Sequence, residues 1–298
     1  MSSPHTRAQR RLFWPFLLPA LVLFAAVFLG PIVLNILYSF GSVGSSGQPQ
    51  LSGTAHYAQA LSDHQFWSTL KNTLIYSVES TIVLFVPAVF LAWCLAQVRV
   101  LRRFFRVVLF APVTISMLVA SLVWKFLLNP TWGPLDAALR GAGLKSLAIP
   151  WLGDSRTAMI AVVIAAVWQS IGLWVVLISA GLERIDTDLY EAARVDGASR
   201  LAEFLHISMP QLWPVLRALI LLWLVQAVQV FAFVYVMTGG GPAGATSVVS
   251  TYIYDTAFTS QDYGYAACLA TIVLVLTGVL GAVAAGILRR SPQERGDS

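Results

Sequence analysis

Charge is scarce in this chain. Of 298 residues only 11% are Asp, Glu, Lys or Arg, against about 25% in an ordinary soluble domain. Hydrophobic residues make up 57% and the mean hydropathy is +0.74. A water-soluble chain of this length could not cover so much apolar surface, so the solvent for most of it is lipid. Cysteine is nearly absent too. Cys94 and Cys268 each sit inside an apolar run and read as small buried hydrophobes, not as a disulfide or metal ligands. The four histidines form no ligand-like cluster, which excludes a recognisable metal site. Glycine-rich dinucleotide and phosphate-binding loops are missing, and no nucleophile–base–orienter set can be assembled. The chain is therefore not read as an enzyme, and it binds no cofactor of its own. Its pI of 9.4 does not imply nucleic acid, because the arginines form no single stripe.

What is present is six long apolar segments, near 12–37, 73–96, 107–128, 157–181, 212–237 and 265–288. Each is close to the ~20 residues needed to cross ~30 Å of hydrocarbon. The first follows RAQRR but is too long for a cleaved signal, so it reads as an uncleaved span. The fold class expected is an all-α polytopic membrane protein with six transmembrane helices. The basic residues set its orientation. Arg7, Arg10 and Arg11 precede span one. Arg99, Arg102, Arg103 and Arg106 fill the 2–3 connection. Arg184, Arg194, Arg200 and Arg217 lie in or beside the 4–5 connection, and Arg289, Arg290 and Arg295 follow span six. The positive-inside rule then places both termini and these two connections in the cytoplasm. The 5–6 connection, 238–264, has no Lys or Arg, as an exported loop should. The expected layout is an N-terminal tail at 1–11, a six-span domain at 12–290 with a cytoplasmic loop at 182–211, and a C-terminal tail at 291–298.

The spans carry more than an anchor needs. Pro15, Pro19 and Pro31 punctuate span one, Pro87 interrupts span two and Pro112 lies early in span three. Lipid cannot repair the hydrogen bonds they remove, so these sites should pack on protein or line a cavity. Gly278, Ala282 and Gly286 give span six a small-residue face suited to close helix contact. Gln169, Trp223, Gln226 and Gln229 are polar or amphipathic groups at membrane depth. They serve either to hold helices together or to line a translocation path.

The cytoplasmic loop is the most patterned stretch. EAARVDGASRLAEFLHISMP occupies 191–210, and six acids against three arginines fall between 183 and 203. Asp188 with Glu191 reads as a capping box opening a short helix, 189–195. Gly197 makes a turn. A second short helix, 199–207, sets Leu201, Phe204, Leu205 and Ser208 near one face. A ridged, charge-flanked helix held at the cytoplasmic surface suits docking into a protein groove, or else folds back on the span ends as a solvated connector.

This stretch resembles the EAA motif of binding-protein-dependent ABC importer permeases: EAA, three residues, Gly, nine residues, Ile, any residue, Leu-Pro. The chain supplies Glu191, Ala192, Ala193, Gly197, Ile207 and Pro210, with Met209 in place of the usual leucine, a swap that preserves apolar volume. A second segment, FAFVYVMTGGGPAGATSVVSTYIYDTAF at 231–258 followed by YGYAACLA at 263–270, resembles the carbohydrate-uptake type-1 permeases of that family. The likeness runs from Leu12 to Arg290. It implies a type I importer permease fold and a subunit of a sugar transporter in a prokaryotic plasma (inner) membrane. Its partners would be a second homologous permease, two cytoplasmic ATPase subunits that use ATP and Mg, and an extracytoplasmic solute-binding protein. Glu191, Ala192, Ala193 and Gly197 would form the ATPase-coupling helix and its turn, with Leu201, Phe204 and Leu205 added by periodicity. Gly239, Gly240, Gly241 and Pro242 would shape an outer loop near the mouth of the path, unless they are simply a turn. The many aromatics and near absence of cations within the spans favour a neutral sugar over glycerol-3-phosphate or a glycerophosphodiester, while a polyol stays open. An uncoupled scaffold or channel is the alternative from another class. It has no use for an EAA loop.

Overall fold

A computed structural model of the chain describes residues 17–43, 49–98 and 100–289. The expected tails at 1–11 and 291–298, the first residues of span one with Pro15, and Arg7, Arg10, Arg11, Arg99, Arg290 and Arg295 lie outside the described residues. The chain divides into two compact units. One runs up to Asp63 and adds Ile253–Leu276; the other comprises His64–Tyr252 and the chain from Thr277 onward.

Five helices are long and apolar enough to cross a membrane, and six when one bent pair counts as a single span. In the first unit, α1 (Leu17–Tyr38) is apolar apart from Asn35, with a wide π turn at Ala25–Leu29 just before Pro31. A π turn widens the ladder where a proline withdraws a donor. Asn35 Nδ2 donates to Ala267 O at 3.2 Å and Thr271 Oγ1 at 3.1 Å, satisfying an amide that lipid could not. Strands β1 (Gly41–Val43) and β2 (Pro49–Leu51) form a short antiparallel pair, Gly41 opposite Leu51. Helix α2 (Ala55–Ser62) follows. Tyr265 Oη donates to Asp63 Oδ2 at 2.6 Å.

In the second unit, α3 (His64–Gln97) buries Thr73, Tyr76, Ser80, Leu84, Ala88, Ala92 and Leu95 along one face. Pro87 sits inside α3 on the exposed side and does not interrupt it, a correction to the reading of span two. Span three departs further from expectation. In place of one helix at 107–128, α4 (Arg102–Phe110) passes through a 3-10 turn, Ala111–Thr114, then Ile115 and Ser116 in extended conformation, and resumes as α5 (Met117–Leu127), bent by 96°. Pro112 lies in that turn, where its missing N–H and fixed φ favour the break. Helix α6 (Pro134–Gly141) lies in the 3–4 connection. Span four is α7 (Ala158–Leu182), the most buried of the five long helices; it packs along α3, and the two carry buried small residues, Ala88 on α3 and Ala161 and Ala165 on α7, of the kind that let backbones approach closely.

A short helix α8 (Thr187–Val195) leads to α9 (Arg200–Val228), which widens to a π turn at Phe204–Ser208. The expected separate helix at 199–207 is therefore the first part of span five, not an independent element. Span five in turn stops at Val228 and resumes as α10 (Ala232–Met237), whereas 212–237 was expected as one helix. The two outer segments created by these breaks, α5 and α10, pack on each other. Helix α11 (Val249–Tyr254) precedes α12 (Tyr263–Arg289), which is span six. Gly278 and Gly286 have no atom within 4 Å of an added Cβ, so the small-residue contact expected of span six is not made among the described residues.

Candidate functional site

The residues expected to couple to an ATPase form a tied helix–turn–helix. Asp186, not Asp188, caps α8: its side chain accepts from Asp188 N at 3.1 Å. Glu191 therefore stands beyond the first turn, and the capping box expected from Asp188 and Glu191 does not form. The helix ends where Gly197 N and Ala198 N return to Arg194 O and Ala193 O, at 3.1 and 2.9 Å. Gly197 has φ +80° with nothing within 4 Å of an added Cβ, so glycine is needed there for backbone conformation and not for space. Ser199 caps α9 through Ala202 N at 3.3 Å.

Two side-chain ties cross the turn. Arg194 Nε donates to Glu203 Oε1 at 2.9 Å, and Tyr190 Oη pairs with Ser208 Oγ at 2.9 Å. Glu203 is buried while Arg194 stays exposed. The hydrogen bond and charge of Glu203 hold the Arg194 guanidinium above its ordinary pKa. Glu191, Ala192 and Pro210 remain exposed, as do Leu201 and Leu205, at 59% and 51%. Phe204 turns the other way: it is half-buried and its ring lies 5.0 Å from that of Trp93 at the end of α3. Ile207 and Ala193 are also half-buried. Of the apolar ridge, only Leu201 and Leu205 are offered outward. The loop is anchored to the 2–3 connection by Arg102 and Arg106, which both donate to Glu183 Oε1, at 2.7 and 3.1 Å.

The four residues named for a path meet around one cavity of about 460 Å³, lined by Gln169, Trp223, Gln226 and Gln229 together with Tyr76, Ser170 and Phe231. Gln169 is buried and its Nε2 donates to Ile115 O at 3.0 Å. That carbonyl belongs to the break in span three, outside the helical ladder, so the amide supplies a donor that the backbone has lost. Trp223 is held by Ser80 Oγ, 3.2 Å from its Nε1, and by an edge contact with Trp174 at 5.6 Å. Gln226 and Gln229 keep exposed side chains. Sequence reasoning missed Tyr76, Ser80 and the second break. Pro112 marks the first break, but Gln229, Val230 and Phe231 carry no glycine or proline to mark the second.

The outer loop is folded, not slack. Gly239, Gly240 and Gly244 have positive φ. Gly240 N donates to Thr238 Oγ1 at 3.3 Å, and Thr246 Oγ1 lies 2.7 Å from Thr238 Oγ1 and 2.6 Å from Gly241 O. Gly241 and Pro242 are half-buried. Asn72 Nδ2 donates to Gly244 O and Ser247 O at 3.0 and 2.9 Å, fastening the loop to α3.

Comparison with known proteins gives the chain a family. Residues 85–292 match the model described as binding-protein-dependent transport system inner membrane component. A probable ABC transporter permease protein, YurN, of Bacillus subtilis is 38% identical over 88% of this chain and 90% of its own length. A trehalose/maltose transport system permease protein, MalF, of Thermococcus litoralis is 32% identical over 80% of each chain. The crystal structure of a bacterial ABC transporter involved in the import of the acidic polysaccharide alginate contains a chain that superposes with TM-score 0.84 at 23% identity, covering 97% of this chain and 100% of that one; at that identity the likeness speaks for the fold. The type I importer permease architecture expected from the motifs is thus the one found. This chain belongs to the binding-protein-dependent transport system inner membrane components: it is a multi-pass, non-catalytic permease subunit of an ABC importer.

Proposed function

We propose that the chain forms half of the transmembrane path for a neutral di- or oligosaccharide and is driven through its 182–211 loop by a separate ATPase. One observation carries the substrate class: the cavity is lined by amides and aromatic rings, and among the described residues its lining has no charged side chain. Sugars are held by stacked rings and neutral hydrogen bonds, whereas a phosphate ester calls for cations. The names of relatives, trehalose/maltose and multiple sugar-binding transport permeases among them, agree with that class. The volume of about 460 Å³ lies in the range of about 300–1,000 Å³ usual for small-molecule sites.

Partner roles follow from the family. A second permease closes the other half of the path, two ATPase subunits use ATP and Mg, and a solute-binding protein delivers solute to the outer face. Glu191, Ala192, Leu201 and Leu205 form the exposed contact with the ATPase, and Gly197 shapes the turn that presents them. Ala193, Ile207 and Phe204 hold the loop to its own chain, and Gly239–Pro242 shape the outer mouth. Closure of the ATPase dimer moves the tied loop as one piece, and span five, continuous with it, carries the motion to Trp223, Gln226 and Gln229.

The test is mass-spectrometric identification of what co-purifies with the full chain in mild detergent, alongside uptake of labelled trehalose, maltose and glycerol-3-phosphate. An ATPase and a second permease are expected, the ATPase being lost on Glu191→Arg and retained on Ala243→Ser. Gln226→Leu should lower sugar uptake about tenfold, the effect of one hydrogen bond lost to the solute, while leaving the ATPase bound. A chain that retains no ATPase even after crosslinking would point to the scaffold or channel reading.

A further inference from the structure

Both broken spans border the cavity, and each break leaves a carbonyl outside its helical ladder. Gln169 takes the one in span three. In span five the carbonyl is that of Val230, between the end of α9 and the start of α10, and it accepts from Ser250 Oγ. Ser250 does not belong to the spans around the cavity. It is the second residue of α11, at the far end of the TGGGP loop. Its neighbour Val249 donates its backbone N–H to Thr73 Oγ1 of α3 at 3.0 Å, and Asn72, one residue earlier on α3, holds Gly244 O and Ser247 O. The outer loop thus has three points of attachment to α3 and, through Ser250, one to the break. Val230 lines the cavity beside Gln229 and Phe231. An unpaired carbonyl at this depth costs free energy, so loop and break are held as one body while that bond lasts.

We propose that Ser250 is a positioning residue: its hydroxyl fastens the break in span five to the outer loop, so that the position of the loop sets the rim of the cavity at Gln229–Phe231. In the importer reading, on which the consequence rests, a binding protein that moves this loop on docking thereby reshapes the solute site without touching it.

The test uses the full chain in its native membrane, with Cys94 and Cys268 replaced by alanine and a single reporter, Gln229→Cys, reacted with a membrane-impermeant methanethiosulfonate. Ser250→Ala should raise the reporter's reaction rate about fivefold, the factor expected for one lost net hydrogen bond. Ser250→Thr, which restores the hydroxyl, should return it to the parent rate. A control reporter, Trp132→Cys, in the 3–4 connection should not change. Equal rates in Ser250→Ala and parent would overturn the proposal, and so would a control that rises in step, because that means general loosening. If Ser250→Ala does not accumulate, Asn72→Leu, which removes two of the loop's three ties to α3, carries the same expectation, and an unchanged rate there overturns it. No solute or ATP is needed, so this result stands apart from the uptake experiment that tests the sugar-importer reading.

Discussion

Gly172 shows how a single side chain can decide the path. A Cβ added there would lie 2.0 Å from Leu109 O and 2.8 Å from the Cα of Phe110. One turn earlier on the same helix, Gln169 holds Ile115 O. Together the two residues grip span three just before its break and within it, one by closeness and one by a hydrogen bond. Gly172→Ala should therefore destabilise the chain by about 1–3 kcal/mol, the usual cost of overpacking, read as a lower thermal midpoint in detergent. Gly278→Ala, with nothing within 4 Å, should leave the midpoint unchanged. Gln169→Leu removes the donor instead of the space. It should cost about 1–3 kcal/mol for the carbonyl left unpaired and should also lower uptake. Arg194 bears on pH. Its pKa is raised by its hydrogen bond to Glu203 and that residue's charge, so what it contributes is fully present below arginine's ordinary value and is lost only as pH rises past the still higher folded value. ATPase retention measured from about pH 6 to 9 should show no titration from the Arg194 side.

At the scale of elements, the coupling loop separates what the sequence could tell from what it could not. The turn at Gly197 was legible, because a lone glycine between two amphipathic stretches has few other reasons to be there. Since its Cβ would meet nothing, the penalty for substitution is conformational, about 1–2 kcal/mol for a left-handed non-glycine residue. Gly197→Val should then abolish ATPase co-purification while the spans stay folded, and Gly197→Asn, whose side chain tolerates that region, should retain most of it. A Val variant that still holds the ATPase would remove the turn from the coupling argument. The cap was misplaced by two residues because Asp186 and Asp188 offer the same chemistry, and only backbone geometry chooses between them. Phe204 was grouped with Leu201 and Leu205 by helical spacing, but spacing cannot see Trp93 111 positions earlier in the chain. The span-five break was hidden for a related reason. Its residues, Val230 and Phe231, suit a continuous helix in lipid, and what stabilises the opening is a hydroxyl from Ser250, remote in sequence.

At the scale of the molecule, hydropathy was enough for a multi-pass helical fold, because lipid admits few alternatives to a closed helix, and arginine placement gives the orientation expected of it. They said nothing of the 96° bend in span three, and that bend raises a question with two geometrically distinct answers. If span three crosses the bilayer despite its bend, Arg103 at its start and Trp132 beyond its end lie on opposite sides. A span that turned back would put both on the same side and reverse every later connection. Single cysteines at Arg103, Trp132, Leu201 and Phe258, all exposed positions, separate the two answers when reacted with an impermeant thiol reagent in intact and permeabilised cells. Crossing predicts reaction from outside at Trp132 and Phe258, and reaction only after permeabilisation at Arg103 and Leu201. The crossing answer is the expected one, because it keeps the basic 2–3 and 4–5 connections on one face. There Arg102 and Arg106 meet Glu183 at the start of the coupling loop, and a turned-back span three would leave that contact with no common compartment to form in.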